Sequence, residues 1–229
     1  MKALAKLNKL YPELCAAENA LKSGKTPISV SGATGSEKNQ LIYSFAENTG
    51  KKALVIASDE LSAKEIYADI SSMSGENVLF FRAKEYVFYD VDVSTREIEA
   101  ERINVIKNIK NAKYIVTSAA AIMQYTVKKE IFDFYSKTYS AGDIIDVSAL
   151  VKTLAETGYK RVSQVESHGQ FSIRGSIIDI FLPGDIYGTR IELFDDEIDT
   201  MRSFDPLTQM SLESIDKFEI YPASELIFD

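Results

Sequence analysis

Between residues 158 and 204 apolar and polar side chains alternate, and that period of two constrains the chain more than any other feature it has. Phe171 and Ile173 alternate with Ser172 and Arg174, and Ile191 and Leu193 alternate with Arg190 and Glu192. Successive side chains point to opposite faces only on an extended strand, so the pattern predicts half-buried antiparallel sheet. Gly175 and the Pro183-Gly184 pair separate one strand from the next. Arg161, Arg174 and Arg190 stand on or beside these strands. A sheet face carrying them is either a solvated surface or a surface that binds another protein.

Upstream the pattern is different. A helix is expected to start at Pro12, after an interruption at Tyr11, and to stop before Gly24 and Pro27. A short strand over 28–31 then leads through a glycine loop into a helix over 37–48, ended by Gly50. The run 53–57, Ala-Leu-Val-Ile-Ala, is apolar throughout, as a parallel strand buried on both faces is. Helix over 63–73, strand over 78–81, helix over 96–110, strand over 114–117 and helix over 119–124 follow. Such alternation implies a parallel sheet covered on both faces. Beyond it come a strand at 138–140 and a helix over 147–157 that leads into the alternating strands.

The expected fold class is therefore α/β: a parallel-sheet domain resembling a degenerate P-loop, RecA-like helicase domain, then a smaller α+β domain with an antiparallel sheet. The boundaries drawn are 1–126 for the first domain, 127–215 for the second, and 216–229 as a return segment to the first, apolar and abruptly ended.

The glycine loop lies where a phosphate-binding loop would. Gly-x-x-x-x-Gly-Lys-Ser/Thr is met at Gly32 and Lys38, with Gly35 inside the loop, but Glu37 replaces the second glycine and Asn39 the hydroxyl residue that coordinates Mg²⁺. A carboxylate at Glu37 would oppose a phosphate, and no later parallel strand supplies a second acidic box. The loop reads as a decayed P-loop kept as a structural turn, or as a weak anion site using Lys38. No cofactor is expected.

Composition narrows the function classes. A net charge of −8 over 229 residues opposes direct binding of polynucleotide, whose affinity rests on Lys and Arg neutralising phosphates. One cysteine, Cys15, allows no internal disulfide and fits a reducing cytoplasm, and Cys15 with the single histidine, His168, cannot make a zinc site. No apolar run reaches the roughly 20 residues that cross a bilayer, so no membrane partner is expected. His168 reads as an exposed turn residue, and no second histidine is present to activate Ser172 or Ser176. Asp195, Asp196 and Glu197 read as a hairpin turn rather than a helicase box. Tyr86, Phe88 and Tyr89 either pack a loop onto the sheet or stack on bases.

The Gly-Ala-Thr-Gly-Ser-Glu-Lys loop, Phe-Tyr-Asp-Val-Asp near Phe88, Arg-Gly-Ser-Ile-Ile-Asp-Ile-Phe and Glu-Leu-Phe-Asp-Asp-Glu-Ile-Asp together resemble the amino-terminal module of the bacterial transcription-repair coupling factor family. That module is similar to UvrB, the damage-recognition subunit of nucleotide-excision repair. The resemblance covers the whole chain and is strongest over 158–222. It implies a non-catalytic cytoplasmic adaptor whose second domain binds UvrA, while RNA polymerase and DNA are met by other domains of full-length members. The positions it marks for UvrA are Arg161, Arg174, Phe181, Arg190 and Glu192, with Ser172 standing where UvrB has a further arginine. The alternative is a nucleotide-dependent, UvrB-like or helicase-like fragment that remodels DNA.

Overall fold

The computed structural model describes residues 5, 11–75, 78–84 and 92–227, with side chains at all of these except 92–96. Tyr86, Phe88 and Tyr89 lie outside the described residues. The chain divides into two compact units, one made of Met1–Ala83 and Val105–Gln124, the other of Lys84–Asn104 and Tyr125–Asp229.

The first unit is built on a three-stranded parallel sheet of β1 (Ala53–Ala57), β2 (Val78–Phe81) and β3 (Tyr114–Ser118), ordered β1-β3-β2. Its helices are α1 (Pro12–Lys22), α2 (Gly35–Thr49), α3 (Glu60–Ser74) and α5 (Ala119–Ile122). Helix α1 begins at the proline, whose missing N–H would be unbonded in a first turn anyway. Gly50 closes α2 in the left-handed conformation, φ 69°. Asp59 caps α3 by accepting the Ser62 amide at 2.8 Å. Alternation on the strands sends Val55, Ala57, Val78, Tyr114 and Val116 into one core with Tyr43, Ala46, Ala63, Ile66 and Ile70.

Two expectations fail in this unit. Residues 28–31 form no strand, so the glycine loop does not spring from the sheet. The run 53–57 is also not buried on both faces, since Leu54 and Ile56 are 56% and 53% exposed. An apolar strand looks the same in sequence whether or not something covers its second face.

The second unit holds a six-stranded sheet, ordered β10-β9-β8-β7-β6-β5: β5 (Lys160–Arg161), β6 (Gln170–Arg174), β7 (Ile177–Phe181), β8 (Gly188–Phe194), β9 (Glu197–Phe204) and β10 (Ser211–Ser214). All neighbours are antiparallel except β5, which runs parallel to β6. The predicted alternation is realised from β6 to β9. Its inner face buries Phe171, Ile178, Ile180, Ile191, Leu193, Ile198 and Met201, and helix α7 (Val147–Glu156) buries Leu150 and Leu154. Asp195, with φ 60°, turns β8 into β9, so the acidic triplet is a hairpin.

A separate two-stranded sheet joins β4 (Lys137–Ser140) to β11 (Lys217–Ile220), and α6 (Lys129–Tyr135) is a short helix the sequence reading lacked. The segment 216–229, expected to rejoin the first domain, therefore lies in the second unit, as does 84–104. The boundary falls inside α4 (Asp92–Asn108).

An ionic cluster fixes this arrangement. Arg102, fully buried, donates Nε and Nη2 to the Glu225 carboxylate at 2.8 and 3.0 Å, and Lys84 reaches the same carboxylate at 2.6 Å. Burial alone would raise the Glu225 pKa, but the Arg102 and Lys84 bonds outweigh it and hold the carboxyl below its ordinary value.

Candidate interaction surface

Register decides which side chains share the outer face of the six-stranded sheet. Cross-strand partners lie on the same side, so Ser172, Asp179, Arg190 and Arg202 form one row across β6 to β9. Two residues along, Arg174, Ile177, Glu192 and Thr200 form the next row. Phe181, Gly188 and Phe204 lie two residues the other way. Arg174, Phe181, Arg190 and Glu192 are thus gathered on one face. Arg161 pairs with Phe171 and falls on the opposite one.

Asp179 organises the middle of the face, and the sequence reading did not single it out. Its side chain is fully buried and accepts Arg190 Nε at 2.7 Å and Arg190 Nη2 at 3.0 Å, a bidentate pair. Arg174 donates Nη2 to the same carboxylate at 2.5 Å. Bonding to Asp179 raises the Arg190 pKa further above neutrality against the opposing effect of burial. The two arginines differ in what remains free. Arg190 is only 14% exposed, lies 4.9 Å over the Phe204 ring and also donates to the Gln209 carbonyl at 3.3 Å. Arg174 is 48% exposed with a single carboxylate bond, so most of its guanidinium faces water.

Phe181 is buried in a small core with Val162, Val165 and Phe204. Gly188 has no room for a side chain, because a Cβ there would sit 2.3 Å from the Phe204 ring. His168 is not an exposed turn residue. Its Nε2–H donates to the Asp185 carbonyl at 2.8 Å and its ring lies 4.3 Å from that of Phe181, which anchors the turn before β6. Ser172 is buried with its hydroxyl unbonded. Arg202 is exposed and makes no hydrogen bond or ion pair among the described residues.

The glycine loop of the first unit is largely exposed. Gly32 and Gly35 take positive φ of 92° and 50°, and α2 starts at Gly35. Asn39, at the position of the Mg²⁺-binding hydroxyl, is buried and donates its amide to Asp69 of α3 at 2.8 Å. Lys38 lines an apolar cavity of about 320 Å³ with Leu21, Ile28, Val30, Leu41 and Phe45, and Glu37 is exposed. Among the described residues no group of three or more acidic, histidine or cysteine side chains is placed to hold a metal ion. No helix among them is long and apolar enough to cross a membrane.

A partly exposed arginine face on an antiparallel sheet, with its guanidinium groups oriented by a buried carboxylate, suits recognition of another protein. Residues 138–226, which include this sheet, match the UvrB interaction domain. Across its length the chain is similar to known proteins. It is 32% identical over 212 residues to the transcription-repair-coupling factor of Bacillus subtilis, covering 91% of this chain and 18% of that protein. It is 34% identical over 212 residues to UvrABC system protein B of Thermosipho africanus, covering 86% of this chain and 32% of the relative. The Escherichia coli O1:K1 protein of the same name is 29% identical over 228 residues. The resemblance to the UvrB-homology module of coupling factor is borne out, and the chain spans less than a third or about a third of these relatives.

Proposed function

We propose that this chain is a non-catalytic adaptor module of nucleotide-excision repair that recruits UvrA through the outer face of its six-stranded sheet. The observation that carries the reading is the Asp179 clamp. It holds Arg174 and Arg190 side by side on one face of the segment matched by the UvrB interaction domain. Arginine is suited to planar, bidentate pairing with carboxylates, and an oriented guanidinium loses less freedom on meeting one. Within this division of labour Arg174 and Glu192 touch the partner, Arg190 sets the geometry, and Phe181, buried at one end of the same face, packs that end of the sheet. Arg161, at the sheet edge on the other side, extends the footprint only if the partner wraps round β5.

The first unit completes the proposal as a degenerate P-loop, RecA-like lobe. The parallel order of β1, β3 and β2 and the position of the glycine loop before α2 support it. So do Asn39 engaged with Asp69 and Lys38 on an apolar cavity, neither of them arranged around a phosphate.

Titrating UvrA against the wild-type chain and Arg174→Glu tests the adaptor reading. The charge reversal is expected to weaken binding tenfold or more, and equal affinity for both removes the surface. Calorimetry with ATP and Mg²⁺ tests the nucleotide-dependent alternative, which saturable micromolar binding would restore.

A further inference from the structure

The arginine face does not end at Arg190. Arg202 stands directly opposite it on β9, exposed and unbonded, in the same row as Asp179. Arg174, Arg190 and Arg202 here outnumber Asp179 and Glu192, so the face is locally cationic on a chain of net charge −8. Beside it, the turn from β9 to β10 carries two large apolar side chains far into solvent: Leu207 is 89% exposed and Met210 67%.

That turn is tightly built. Gln209 adopts φ 63°, uncommon for a residue with a side chain. Its Nε2 donates to the Val165 carbonyl at 2.9 Å and the Pro206 carbonyl at 2.7 Å, while its own carbonyl accepts from Arg190. Asp205 accepts the Leu207 amide at 2.8 Å, and the Asp205 amide donates to the Met210 carbonyl at 3.0 Å. The same hydrogen bonds that tie the turn to Arg190 hold Leu207 and Met210 outward. Apolar groups presented by an already ordered turn cost little further entropy when they are covered.

We infer that the docking surface continues onto β9 and the β9–β10 turn, where Arg202 and the Leu207/Met210 shoulder together recognise an acidic patch bordered by an apolar ridge on the partner protein. The inference rests on the adaptor reading above and deepens it. Arg202 supplies a fully available guanidinium where Arg190 is committed to Asp179, and the shoulder supplies the apolar contact that buried Phe181 cannot. Methionine suits such a role, since its unbranched chain adapts to the surface it meets.

The test titrates UvrA against Arg202→Glu, Leu207→Ser and Met210→Ser, with Arg174→Glu for comparison and Lys217→Glu as a control elsewhere on the unit. All three new sites are exposed, so thermal unfolding should stay at the wild-type temperature. Arg202→Glu is expected to weaken binding about tenfold, and less so at high salt. The two serine variants should each weaken it several-fold at every salt concentration, with Lys217→Glu unchanged. Should Arg174→Glu lose affinity while the three variants stay within twofold of wild type, the extension is overturned and the adaptor reading stands. No binding by the wild-type chain overturns both. Self-association of the chain that Leu207→Ser abolishes would make a second copy the occupant and overturn the inference.

Discussion

Replacing Asp179 by asparagine keeps the side-chain shape and removes the charge on which two arginines converge. Asp179 is fully buried, and its strongest partner, Arg190, is 14% exposed over the Phe204 ring. Removing one member of a buried ion pair costs about 3–5 kcal/mol, because the other is left charged and uncompensated. Arg174 adds little to that figure, since at 48% exposure water can replace its one bond, worth at most about 1 kcal/mol. Arg190 keeps some access to water and its bond to the Gln209 carbonyl, which places the loss at the lower end, about 3 kcal/mol. For a chain of this length that corresponds to a fall in Tm of roughly 6–12 °C. Urea unfolding at neutral pH, followed by circular dichroism, measures it. A cycle with Arg190→Gln should show coupling of about 2 kcal/mol, because the second change removes the stranded charge. A loss below about 0.5 kcal/mol, or strict additivity in the cycle, would refute the view that Asp179 is the organising anion.

Two further outcomes follow from the packing. Glu225 is held below its ordinary carboxylate pKa by Arg102 and Lys84, so its stabilising effect should be fully present above that ordinary value and lost as the pH falls through the folded-state pKa. Urea titrations of wild type and Glu225→Gln should accordingly differ most at neutral pH and converge in acid; a gap that widens below pH about 4 contradicts the assignment. Gly188→Ala forces a methyl group against the Phe204 ring and should cost about 1–3 kcal/mol by overpacking, read as a lower urea midpoint at unchanged slope.

Much of the second unit was legible because alternation is a direct record of which face is buried. Ile191 and Leu193, expected inward on β8, are buried, as is Phe171 on β6, though Ser172 beside it is buried as well, and the acidic triplet forms the expected hairpin. What remained hidden depends on long-range pairing. Asp179 is one more polar residue in an alternating strand until register sets it between Ser172 and Arg190. Register likewise parts Arg161 from the other arginines, although all three look equivalent along the chain. Phe181 reads as a possible anchor because an aromatic beside arginines is common at interfaces, yet Val162 and Val165 cover it. The two compact units divide elsewhere than at the expected limits for a similar reason. Periodicity in 96–110 announces a helix but does not say which core it serves, and long-range contacts such as Arg102 with Glu225 and Glu99 with Ser224 assign it. The absent strand at 28–31 shows the limit of reading a short apolar run without its neighbours.

The bond between Arg102 and Glu225 also bears on how the chain matures at the ribosome. The two residues are 123 positions apart, so at about 5–20 residues per second the guanidinium emerges roughly 6–25 s before the carboxylate that will sequester it. During that interval α4 has to keep its cation hydrated, and the second unit cannot close around it. A nascent chain halted before residue 225 should therefore expose the surroundings of Arg102 to a protease that cleaves after arginine, and elongation well past residue 225 should shut that window.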